Sequence, residues 1–122
     1  MHFSGDALTA LTFYRSVFGG ELEVHTHGEI GLQGDHPDWI AHGILAGPID
    51  LFAADEANAA AHPDPSGLLF SLLGYADPDT LRRWFDGLAD GGVVIDPLSE
   101  RDWGASDGQV RDRFGITWLL GW

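Results

Sequence analysis

The side chains of this chain that could do chemistry are few and scattered. His25, His27 and Glu29 alternate, so on an extended strand they would share one face, and His-x-His with a carboxylate is an acceptable half-site for Zn²⁺. A solvent-facing strand edge is the plainer interpretation of the same three residues. His42 stands inside the apolar run Ile40 to Leu45, where a half-buried imidazole could act as a base or hydrogen-bond a ligand. A structural imidazole satisfied by a backbone carbonyl accounts for it more simply. His36 and His62 sit beside prolines and carry no signal. Ser16, Ser66, Ser71, Ser99 and Ser106 include none in a Gly-x-Ser-x-Gly elbow, and no Gly-rich phosphate loop precedes a helix. Asp35-His36-Pro37-Asp38 and Asp102-Trp103-Gly104 offer carboxylates that read as solvated loops.

Composition removes further classes. There is no Cys, hence no thiol nucleophile and no disulfide framework, and no Lys, which excludes a Schiff base. Nineteen acidic residues against six basic ones give a net charge of −13. Nucleic acid needs clustered Lys and Arg, so it is not an expected partner. Arg82, Arg83, Arg101, Arg111 and Arg113 all lie in the second half, where surface ion pairs are the simplest role and anchoring an anion the other. Aromatic residues remain: Trp39, Trp84, Trp103, Trp118 and Trp122, with Phe52 and Phe70. Phe52, Trp103 and Trp118, with the polar groups of His42 and Ser71, could line a concave pocket. Plain packing or a dimer interface explains the same rings equally well.

The elements that must position these residues occur twice. Gly5-Asp6, Phe13-Tyr14 and Gly19-Gly20 are echoed by Ala76-Asp77, Trp84-Phe85 and Gly91-Gly92, 71 residues on at the aromatic pair and 72 at the glycine pair. Two copies with so long a period indicate a duplicated module and not a solenoid. In each, an Asp at the N-cap precedes apolar residues at helical spacing (Ala7, Ala10, Leu11, Tyr14, Val17, Phe18; then Leu81, Trp84, Phe85, Leu88) and a glycine pair ends the helix. Pro78 fits the first helical position. Strands are expected over Leu22–His27, Ile40–Leu45, Ile49–Ala53, Leu68–Leu73, Val93–Ile95, Gln109–Arg111 and Ile116–Leu120. The plan is α+β, one compact 122-residue domain of two modules, about 1–55 and 66–122, joined by a linker over 56–65.

The run Gly5-Asp6-Ala7-x-x-Ala10-Leu11-x-Phe13-Tyr14-x-x-Val17-Phe18-Gly19-Gly20-Glu21 resembles the opening helix of the vicinal oxygen chelate superfamily, the glyoxalase and bleomycin-resistance fold. Trp103-Gly104, followed by Gly108-x-Val110-x-Asp112-x-Phe114-Gly115-x-x-Trp118, is similar to the closing hairpin of its PhnB-like branch, often labelled demethylubiquinone methyltransferase-like. The likeness spans nearly the whole chain. It implies two βαβββ modules, here with the first strand shortened, a cleft between curled sheets, and a homodimer. Two features of the chain also suit a dimer: the shortened first strand would leave a sheet edge for a second copy, and Ile116 to Trp122 ends in apolar residues.

In metal-dependent members the resemblance implies four ligand positions, His, Gln or Glu. Counted from the motifs, the first precedes Met1, with His2 turned to the other side of its strand; the others fall near Leu51, Ser71 and Leu119. A one-residue shift at Leu51 would bring in Asp50. Leucines and a serine cannot hold a divalent ion, so no metal and no cofactor are expected. Two functions follow as expectations. One is a binding protein of the bleomycin-resistance type, taking an aromatic or cationic small molecule in the cleft through His42, Phe52, Ser71, Trp103 and Trp118. The other is an enzyme of unknown substrate, of metal-dependent or acid/base lyase, isomerase or dioxygenase type, with His42 or an acidic loop residue as the base in the acid/base case. No apolar run approaches the roughly 18 residues of a membrane span, and a cytoplasmic protein is expected.

Overall fold

The computed structural model describes residues 1–58 and 67–122. Two compact units, Met1–Pro63 and Asp64–Trp122, repeat one plan. The first holds β1 (His2–Phe3), α1 (Ala7–Phe18), β2 (Glu21–Thr26), β3 (Ile40–Ala46) and β4 (Leu51–Asp55). The second holds β5 (Phe70–Leu73), α2 (Pro78–Ala89), β6 (Val93–Glu100), β7 (Ser106–Arg111) and β8 (Thr117–Gly121). Their sheets run β1-β4-β3-β2 and β5-β8-β7-β6. In both, the opening strand joins the closing strand in parallel and all other neighbours are antiparallel. This is the expected doubled βαβββ fold, with the first strand only two residues long. The expected linker falls largely on 59–66, outside the described residues, and so do His62 and Ser66.

Each helix covers one sheet face because its apolar stripe has nowhere else to be buried. On α1 the stripe is Ala7, Ala10, Leu11, Phe13, Tyr14 and Phe18, and on α2 it is Leu81, Trp84, Phe85 and Leu88. Complete burial of a side chain such as Leu11 or Leu81 contributes about 2 kcal/mol. Gly43 on β3 lets α1 lie close: a Cβ there would stand 2.5 Å from Leu11 Cδ1. Gly19 ends α1 at φ +79°, its N–H donating to Arg15 C=O, where a side chain would be strained.

The caps divide the two copies. Asp77 accepts from Thr80 N–H at 2.9 Å and Pro78 occupies the first turn, as expected. Asp6 makes no capping bond with its side chain. Asp55, at the end of β4 and 3% exposed, does that work instead, accepting from the N–H groups of Gly5, Ala7 and Ile40 at 2.8, 3.0 and 2.9 Å. The second unit buries Asp112 equally, under Phe114 N–H, Ile116 N–H and Trp118 Nε1–H. β6 is longer than Val93–Ile95 suggested, because two register shifts let it pass Asp96-Pro97 and continue pairing with β7. No helix among the described residues is long and apolar enough to cross a membrane.

Candidate functional site

In the first sheet, cross-strand register decides which side chains turn away from α1. Leu22, Leu45 and Leu51 pair across β2, β3 and β4, and Leu45 is fully buried on the helix side. The alternate row, Glu23, Ile44 and Phe52, therefore lies on the open face, with His25 and His42 paired beside it. Gly43 pairs with Ala53, which puts His42 level with Ala54, and His2 on β1 pairs with Ala54 from the other side. A concavity of about 250 Å³ opens here, lined by Met1, His2, His42, Phe52, Ala53 and Ala54. Phe52 is 55% exposed and its ring centroid lies 6.3 Å from that of His42. A second concavity of about 430 Å³ shares Ala54 and is walled by His27, Ile30, Leu32 and Glu56 among others.

Two expectations about this face are corrected. Leu51 belongs to the helix side, so the open positions on β4 are Phe52 and Ala54, one residue off the count. Motif spacing carries no information about a bulge or slip, and one residue reverses the face. His2 was expected to turn away; its register with Ala54 directs it into the concavity with His42 and Phe52. Glu56, which no sequence signal singled out, meets it there, Oε1 lying 2.5 Å from His2 Nδ1. The parallel pairing of β1 with β4 would have exposed this contact, but nothing in the chain's own pattern announces parallel pairing.

The His25, His27 and Glu29 trio does not assemble. β2 ends at Thr26, and Glu29 folds back to accept Thr26 N–H at 2.7 Å. His25 Nε2 lies 2.9 Å from Glu23, and the His27 ring stands edge-on to Trp39. His36 stacks flat on Trp39 with centroids 4.0 Å apart.

In the second unit Ser71 and Leu119 are register partners, with Gln109 next in the row, on the face away from α2. Trp118 is 1% exposed, packs on the helix side against Phe70 and spends its N–H on Asp112. It is core, and is not offered to any ligand on the open face. Trp103 stands 76% exposed in the β6–β7 turn. That turn is braced by Arg101, whose guanidinium binds Asp96 and Asp107; Asp107 first and Asp96 second hold its pKa still further above its ordinary value. Two of the other arginines make the expected surface ion pairs, Arg82 with Asp79, where it also covers the Trp122 ring, and Arg113 with Asp90; Arg83 and Arg111 donate instead to the hydroxyls of Thr80 and Thr117.

A divalent ion would need three or four His, Cys, Asp or Glu donors brought together. Among the described residues, no group of three or more His, Cys, Asp or Glu is placed to hold one. The open-face positions on β4, β5 and β8, namely Phe52, Ala54, Ser71 and Leu119, present no imidazole or carboxylate. Among the described residues, the donor set does not fit a chelated metal.

Relatives agree with the architecture. A crystal structure of protein PA1353 from Pseudomonas aeruginosa is 33% identical and superposes with a TM-score of 0.80, over 98% of this chain and 91% of that one. The PhnB protein of Bacillus cereus, titled a putative 3-demethylubiquinone-9 3-methyltransferase, shares the fold at 18% identity, TM-score 0.76, over 98% and 93% of the two chains. Protein YjdN of Escherichia coli (strain K12) is 27% identical over 136 residues, 98% of this chain and 90% of that protein. The family model for the Glyoxalase/Bleomycin resistance protein/Dioxygenase superfamily matches residues 1–120, and the chain belongs to that superfamily.

Proposed function

We propose that the protein binds a small aromatic or cationic molecule without a metal, on the open face of its first sheet. The observation that carries this is the exposed Phe52 ring beside His42, over a concavity whose floor is Ala54. A large apolar side chain left on a concave face beside convergent polar groups is the usual form of a ligand site. Nine carboxylates against Arg15 alone in the first unit favour a positively charged guest. Ser71 and Trp103 are the candidates the second unit offers. A homodimer is part of the same reading, supported by the exposed apolar side chains of β6, Val93, Val94 and Ile95.

The test is thermal denaturation with proflavine, a flat aromatic cation, beside naphthalene sulfonate, a flat anion. Proflavine is expected to raise the melting temperature and the sulfonate to leave it unchanged. Phe52→Ala should weaken proflavine binding about tenfold. Equal stabilisation by both dyes, or a stoichiometric metal found by plasma emission analysis, would refute the reading. Sedimentation at micromolar concentration should give the dimer; monomer alone would remove that part.

A further inference from the structure

We infer that His2 and Glu56 form a general-base dyad, making the first unit's trough a site for proton transfer at an acidic C–H bond. The contact is built, not incidental. Glu56 continues the β1–β4 seam: its N–H donates to Phe3 C=O at 2.8 Å, and its own C=O accepts from Ser4 Oγ at 3.2 Å. These bonds fix the Glu56 main chain beside β1, which brings its carboxylate within reach of His2 Nδ1. An ionised carboxylate only accepts, so Nδ1 must carry the proton, and the basic lone pair is placed on Nε2. This is the way a carboxylate orients a histidine base.

The space beside that imidazole suits a small substrate. His2 and His42 flank Ala54 from opposite strands, about 10 Å apart at two strand spacings, with only a methyl group between them. Phe52 supplies an apolar wall, and Ala54 is shared with the larger concavity that Glu56 helps to line. The substrate class is a small neutral or cationic molecule with an activated C–H, such as a β,γ-unsaturated ketone. Nε2 takes the α-proton, the C–H electron pair passes into a dienolate, and the same proton returned at the γ carbon completes a double-bond isomerisation. No oxidant, reductant or metal enters the balance. His2 is the base; Glu56 acts through it as a positioning residue.

The inference goes beyond ligand binding and can fail separately from it. The probe is 5-nitrobenzisoxazole, supplied to the full chain. A base removes its C3 proton, the C–H pair forms the nitrile, and the N–O bond breaks to release a coloured phenolate. Wild-type protein should exceed His2→Ala by about 10²-fold. Glu56→Gln should retain part of the rate, because the amide oxygen can still accept from His2 Nδ1–H. His25 and Glu23 on the same face, and His27 beside the second concavity, should not abolish the rate when replaced singly. A second measurement is independent of turnover: imidazole nitrogen NMR should show His2 as the Nδ1–H tautomer. A wild-type rate equal to that of His2→Ala, or an Nε2–H tautomer, overturns the dyad. Turnover without proflavine binding would sink the binding proposal alone.

Discussion

The two units share strand order and helix placement, yet they use their carboxylates and their open faces differently. In the first, Asp55 reaches from the last strand to cap α1, so helix, β3 and β4 are tied by one buried group. In the second, α2 caps itself with Asp77, and the buried Asp112 is turned to its own β7–β8 turn and Trp118. The first open face carries imidazoles, Phe52 and a trough; the second carries Ser71, Leu119 and an arginine locked between two aspartates. Duplication has therefore preserved the backbone plan while each copy solved capping and surface chemistry with different residues.

The comparison can be broken hardest at the buried aspartates. Asp55→Ala leaves three backbone donors without their acceptor and should cost about 3 kcal/mol in urea unfolding, at the upper end for charged hydrogen bonds. Asp6→Ala should cost under about 0.5 kcal/mol, because its side chain caps nothing. The reverse order would show that α1 is capped as its sequence suggests.

Glycines give the next contrast. A Cβ at Gly108 on β7 would meet backbone atoms of Leu98 at 2.7 Å, whereas at Gly43 its closest neighbour is the end of a flexible leucine. Gly108→Ala should thus lose about 3 kcal/mol and Gly43→Ala about 1, read from melting temperatures. Similar losses would mean that the second hairpin gives way as easily as the Leu11 side chain.

The smallest effect expected is at Asp77. Its carboxyl is held below the ordinary 3.8 by the Thr80 hydroxyl first and the Thr80 N–H second. A folded-state value below the unfolded one adds stability that is complete above about pH 4 and fades as pH falls through the lower, folded value. Asp77→Asn, which can still accept from Thr80, should remove that acid sensitivity. An unchanged acid limb in the variant would assign the effect elsewhere.

Much of the plan was legible because it rests on local physics. The helical stripes, the Asp77-Pro78 start and the glycine stops are readable within a few residues, and their recurrence disclosed the duplication. What stayed hidden depends on partners far along the chain. Asp6 and Asp77 look alike in sequence, and only the arrival of Asp55 separates them. Phe52 and His42 were recognised as candidates, and the fold brings them together. Trp118 was indistinguishable from a pocket residue until its face was known. His2 and Glu56 stand 54 positions apart and meet only through parallel pairing that leaves no periodic trace.

Titrating isotope-labelled protein, stripped of metal with a chelator, with proflavine and following its NMR spectrum tests the central claim most directly. The account predicts perturbed resonances at His42, Phe52 and Ala54 in the absence of any added ion. Perturbation that appears only once Zn²⁺ is restored, or that leaves those three residues untouched, would contradict it.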